Sequence, residues 1–156
     1  EGNLRVKTVA QGFVFRLQPD LLGRPLDDHP HFIDYLILPE AAQIGAVLRG
    51  GLCEDTVGRL WVGTYGMGLY YCDHERLRLW EPLHGGAERA VFALAVADPK
   101  GVWAGTAKGP ACTSLAPHSS QSDEPRLTGY RTTALARARN GLLWVGTTNG
   151  LFIRQD

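Results

Sequence analysis

The chain has 156 residues, 44% of them hydrophobic and 21% charged, the balance of one globular domain and not of a disordered segment. Its 16 Lys and Arg match its 16 Asp and Glu, so no net field draws it to nucleic acid or to an anionic membrane. No apolar run reaches the roughly 18 residues that a membrane-spanning helix needs, so no direct membrane insertion is expected.

Short β-type runs begin at once. Gly2–Thr8 and Gly12–Phe15 read as two strands, and the opening Glu1-Gly2-Asn3 reads as the inside of a turn, the expected mark of a processed or excised piece. Leu17–Gln43 is an irregular insert holding one further strand at Phe32–Leu38. The next unit holds four runs, Val47–Cys53, Leu60–Thr64, Leu69–Cys72 and Arg76–Trp80. The third holds Val91–Ala97, Val102–Thr106, Ala111–Leu115 and a weaker run at Arg126–Tyr130, after a polar Ser/Pro loop at Pro117–Pro125. A fourth begins near Arg131 and reaches Phe152-Ile153 without an outer strand.

These units repeat. Gly58-Arg59-Leu60-Trp61-Val62-Gly63-Thr64, Gly101-Val102-Trp103-Ala104-Gly105-Thr106 and Gly141-Leu142-Leu143-Trp144-Val145-Gly146-Thr147 align, with tryptophans 42 and 41 residues apart. Gly2-Asn3-Leu4-Arg5-Val6-Lys7-Thr8 is a degraded copy, offset by 56 residues from the next. Four short strands per period, with no amphipathic helical stretch, predict an all-β chain of propeller blades. The predicted organisation is a partial β-propeller: an incomplete first blade with its insert over 1–44, complete blades over 45–83 and 84–128, and an incomplete fourth over 129–156. Gly58 and Gly141 are placed to turn the first hairpin of a blade, where φ is positive. Gly63, Gly105 and Gly146 lie inside the second strand, where a glycine marks close approach of a neighbour. Each Trp is large enough to fill the wedge between blades. Four motifs cut inside a blade at both ends predict either the remainder of a longer propeller or self-association.

The segment Glu54-Asp55-Thr56-Val57-Gly58-Arg59-Leu60-Trp61-Val62-Gly63-Thr64, followed by Gly68-Leu69-Tyr70, resembles the two-component regulator propeller repeat. Asn140–Thr147 followed by Gly150-Leu151-Phe152 is similar to it as well. The copy at Gly101 is one residue shorter and has Pro110 where Leu is usual. The resemblance implies a sensory segment from the periplasmic or extracellular side of a bacterial inner-membrane receptor, upstream of a membrane helix and of a histidine kinase or diguanylate cyclase module. It implies no enzymatic activity in this segment and no cofactor.

In a propeller, ligands meet the rim built of second-to-third-strand turns and blade linkers. That rim takes Tyr65, Met67, Lys108 and Asn149 from the turns and His84, Arg89 and Arg131 from the linkers, the expected ligand-binding residues for a small molecule or glycan. Asp27-Asp28-His29-Pro30-His31 carries cation-ligating side chains, but no second cluster completes a shell and no metal is expected. Glu54 and Asp55 are strand neighbours that point to opposite faces, unlike the facing carboxylates of a glycosidase. Asp55 lies three residues before Gly58 with no Ser ahead of it, which does not fit the sialidase Asp box. No nucleophile elbow, phosphate loop or zinc-binding helix occurs. Cys53, Cys72 and Cys112 lack metal spacing and read as small buried hydrophobes, although a Cys53–Cys72 disulfide would suit an oxidising compartment. Two alternatives remain at this point: a protein-interaction scaffold, and a carbohydrate-active or lyase propeller enzyme.

Overall fold

The computed structural model describes residues 4–7, 13–17, 32–37, 50–73, 76–80, 89–97, 101–114, 127 and 129–155. The backbone forms two compact units, Glu1–Ala46 and Val47–Asp156. In the first, β1 (Leu4–Lys7), β2 (Phe13–Leu17) and β3 (Phe32–Ile37) form an antiparallel meander in that order. The degraded copy and its insert therefore supply three consecutive strands of one sheet. The acidic and histidine-bearing stretch Asp27–His31 lies outside the described residues.

The second unit holds three antiparallel sheets. The first is β4 (Leu52–Glu54), β5 (Leu60–Gly63), β6 (Leu69–Asp73) and β7 (Arg76–Leu79); the second is β8 (Val91–Ala97), β9 (Gly101–Thr106) and β10 (Gly109–Ser114); the third is β11 (Thr132–Arg137), β12 (Leu142–Thr147) and β13 (Gly150–Gln155). Each strand pairs with its sequence neighbour within its sheet, which is the meander of a propeller blade. Gly58 and Gly141 turn the first hairpins with φ of 81° and 85°. The weak run at Arg126–Tyr130 does not form a fourth strand at its described positions. The amide of Tyr130 bonds back to the carbonyl of Leu127, and Gly129 has φ of 93°, so the chain turns there. Buried Leu127 packs instead into the core of the sheet it would have edged.

The tryptophans occupy one register position. Trp61 lies between Cys53 and Tyr71, Trp103 between Ala95 and Cys112, and Trp144 between Ala136 and Ile153. The opposite face repeats too: Leu52 is opposite Val62, Leu94 opposite Ala104, and Leu135 opposite Val145. Trp61 packs with Val91, Val102, Ala104 and Leu94, so the Trp face of one sheet meets the aliphatic face of the next. Trp103 repeats this one sheet later, against Leu143, Val145 and Leu135. Trp61 and Trp103 are 0% and 4% exposed, whereas Trp144 is 37% exposed beside exposed Leu151 and Ile153 on the last described sheet. The same residue in the same register is buried only where another sheet follows it.

The strand glycines mark that contact. A Cβ on Gly63 would stand 2.7 Å from Val91 Cγ1, and one on Gly105 would stand 2.8 Å from Thr132 Cγ2, each belonging to the first strand of the following sheet. On Gly146 the nearest atom is Ala134 Cβ at 3.3 Å, within its own sheet. Gly105→Ala is accordingly expected to destabilise by about 1–3 kcal/mol through overpacking. Gly146→Ala should stay within about 0.5 kcal/mol of wild type, because exposed Ala134 yields and the unfolded chain loses entropy. Urea unfolding of the two variants checks this, and equal costs would contradict the packing of the sheets.

None of the three cysteines is joined in a disulfide. Cys53 is in line with Trp61 and Tyr71, and Cys72, the residue after Tyr71, points to the other face, so no bridge joins them. Burial, with the negative charges of Asp55 and Glu54 behind it, raises the Cys53 thiol from 9.0 to about 11. The folded state thus favours the neutral thiol. That contribution is complete below pH 9.0 and is lost as the pH rises towards 11. Native protein treated with iodoacetamide near neutral pH should keep Cys53 unmodified by peptide mass spectrometry, while denatured protein loses that protection.

Candidate functional site

One turn chemistry builds the rim at all three sheets. Thr64 Oγ1 donates to the Gly68 carbonyl at 2.6 Å and accepts the Met67 amide at 3.2 Å. Thr106 Oγ1 donates to the Gly109 carbonyl at 2.8 Å and accepts the Lys108 amide at 3.1 Å. Thr147 Oγ1 does the same with Gly150 at 3.0 Å and Asn149 at 3.1 Å. The hydroxyl closes each turn between second and third strands and replaces a backbone partner. Met67, Lys108 and Asn149 are therefore equivalent positions, each held by its amide. The turn after Thr64 is one residue longer, and the extra length carries Tyr65 outward.

Linkers are tied to these turns. The Arg89 carbonyl accepts the amides of Gly66 and Gly68 at 3.0 and 2.8 Å, and the Lys108 carbonyl accepts that of Gly129 at 2.7 Å. The Arg131 carbonyl accepts the Thr148 amide at 3.0 Å. Tyr65 bridges to Ala90 across the gap between its own turn and β8. Of the seven rim residues expected from sequence, His84 lies outside the described residues. The other six lie between strands, on turns and linkers.

Two of them converge through a residue that sequence reasoning missed. Register slips between Val91 and Ala93, and Phe92 is the extra residue of that β-bulge. The Tyr65 ring meets Phe92 edge-to-face, with centroids 5.7 Å apart and planes at 71°. The Arg131 guanidinium lies over the Phe92 ring, 5.2 Å from its centroid. Tyr65 is 52% exposed and Arg131 is exposed. Three successive sheets thus contribute to one cluster: Tyr65 from the first, Phe92 from the second and Arg131 at the start of the third. The structure does not bring Met67, Lys108 and Asn149 into that cluster by any described side-chain contact.

The carboxylates lie elsewhere. Asp55 is buried at the β4–β5 hairpin, where Oδ1 accepts the amides of Val57 and Arg59 at 3.1 and 2.8 Å and Oδ2 accepts Trp61 Nε1 at 2.9 Å. Glu54 is exposed on the other face. The pair is not a facing acid–base couple, and Asp55 works as the anchor of its hairpin. Trp103 Nε1 is buried with no hydrogen-bond partner among the described residues. No group of three metal-ligating side chains gathers among the described residues.

Residues 45–66 match the family model for the two-component regulator propeller. Within that stretch the chain carries one two-component regulator propeller repeat. The match spans the first hairpin of the four-stranded sheet, including Asp55, Trp61, Gly63 and Thr64, residues that build the blade. Solved structures agree on the fold. The chain is similar, at 20% identity and a TM-score of 0.62, to the extracellular domain assigned to hybrid two-component system BT3049 of B. thetaiotaomicron, covering 99% of this chain and 20% of that one. It is similar at 21% identity and a TM-score of 0.55 to the extracellular domain assigned to BT4673 of the same organism, covering 70% of this chain and 14% of that one. The chain thus spans a fifth or less of these relatives. No curated protein matches it. No helix among the described residues is long and apolar enough to cross a membrane.

Proposed function

We propose that this chain is a ligand-sensing propeller segment of a bacterial signal-transduction receptor, lying outside the cytoplasmic membrane and without catalytic activity of its own. The observation that carries this reading is the Tyr65–Phe92–Arg131 cluster on the rim of a two-component regulator propeller repeat. Structural relatives whose domains are extracellular and assigned to hybrid two-component systems support the location and the signalling role. A rigid stack presenting turns on one rim suits recognition, because the turns vary while the strands hold them in place. The buried, fully engaged Asp55 and the exposed Glu54 weigh against a carboxylate-dependent glycosidase among the described residues.

The test is thermal unfolding against a broad panel of saccharides and small metabolites. A ligand of this rim raises Tm as its concentration rises, and Tyr65→Ala removes the shift. Silence across the panel contradicts ligand sensing and favours the scaffold reading.

The exposed face of the last sheet bears on the parent architecture. Trp144, Leu151 and Ile153 stand where Trp61 and Trp103 meet a following sheet, and the relatives are about five times longer. A further blade of a longer chain is the occupant this face fits. Lengthening the protein by one repeat unit should raise its Tm, and an unchanged Tm contradicts that assignment.

A further inference from the structure

We infer that the rim cluster selects anionic ring compounds: ligands with an apolar ring face for Tyr65 and Phe92 and a carboxylate for Arg131. This rests on the proposed ligand-sensing role and adds the charge and shape of what is sensed. The first observation is the bulge. Two sheets of the second unit break register at the rim end of their first strand, and the residues there are Phe92 and Thr133. Scaffold geometry therefore accepts a threonine at the bulge, and the middle sheet places a large aromatic ring there instead. Bulges re-aim side chains next to binding sites, and here the re-aimed ring is the link between Tyr65 and Arg131.

The second observation is the state of Arg131. Its side chain is exposed, and its one described side-chain contact is the Phe92 ring. Among the described residues no carboxylate pairs with it. Arg154, by contrast, lies over the Trp103 ring at 4.6 Å and is half-buried between two sheets, where its role is packing. Stacking on Phe92 restricts the Arg131 side chain and leaves the N–H edge of the guanidinium plane able to meet a carboxylate through two parallel hydrogen bonds. The exposed Tyr65 ring adds a surface for an apolar ring face and a hydroxyl that donates or accepts. A neutral ring compound would use the aromatics and leave the guanidinium in water. A simple inorganic anion would use the guanidinium alone.

Two sources supply this chemistry, a uronic acid and an aromatic carboxylic acid. Calorimetric titration of the chain with glucuronate and glucose, and with phenylacetate and benzyl alcohol, separates them, using concentrations up to about 10 mM so that a Kd near 1 mM is measurable. The acid of at least one pair is expected to bind and its neutral counterpart to bind roughly tenfold or more weakly. Arg131→Gln should abolish the preference, and Arg131→Lys should restore only part of it, because an ammonium neither stacks nor forms the paired hydrogen bonds. Circular dichroism confirms that these exposed-site variants keep the fold. Equal binding of acid and neutral partner, an Arg131→Gln variant that keeps the preference, or no binding by either acid overturns the inference. If both members of a pair bind equally and Tyr65→Ala removes both, the rim remains a sensing site and only its charge selection is lost.

Discussion

Trp61→Ala is expected to destabilise the protein by about 3–5 kcal/mol, the cost of emptying a fully buried aromatic site. The indole fills the space between the first and second sheets of the second unit, against Val91, Val102 and Ala104, and none of these can collapse into the void without moving a strand. Trp144→Ala, the same change at the same register position, should cost less than about 1 kcal/mol, because the exposed indole loses little burial. The contrast separates a stacked repeat from a single pooled core, in which the two substitutions would cost alike. Equilibrium urea unfolding gives both values.

Asp55→Ala should destabilise by about 2–4 kcal/mol. Three donors converge on this carboxylate, and the substitution leaves buried Trp61 Nε1 without a partner. In a Trp61→Phe background, which lacks that N–H, the cost of Asp55→Ala should fall by about 1 kcal/mol or more, since one of the three bonds no longer exists to be broken. A cost unchanged by the background would show that Asp55 acts on the hairpin alone. The ligand response at the rim should survive both substitutions wherever the protein remains folded, because Asp55 sits at the opposite end of β5 from Thr64 and Tyr65.

What could be read from the residues was what the repeat imposes on each blade alike. Trp61, Trp103 and Trp144 recur because every wedge needs the same volume, and Gly63 and Gly105 recur because every following strand comes equally close. The turn glycines were legible for the same reason. The rim was legible only as a place. Its convergence depends on a one-residue slip at Phe92, and a β-bulge shows in pairing and not in residue type, so Phe92 read as an ordinary strand position. The alternation of strand faces separates Asp55 from Glu54 in the sequence, but the three donors to Asp55 depend on the shape of a hairpin that residue types do not specify. The recurring Thr of each motif gives no hint that its hydroxyl closes the rim turn. At its described positions the run Arg126–Tyr130 is a turn, closed by Gly129 and the Leu127 carbonyl, which short-range β propensity does not report.

The stacking of successive sheets is tested most directly by a double-mutant cycle between Trp103 on β9 and Arg154 on β13. The Arg154 guanidinium lies 4.6 Å from the Trp103 ring centroid, although the two strands belong to different sheets and share no backbone pairing. With Trp103→Leu and Arg154→Met, the coupling energy from urea unfolding should be about 1 kcal/mol, the scale of a partly desolvated cation–π contact. A coupling indistinguishable from zero would mean that the Trp face of one sheet does not meet the next, and the stacked-blade architecture that places Tyr65, Phe92 and Arg131 on one rim would be contradicted.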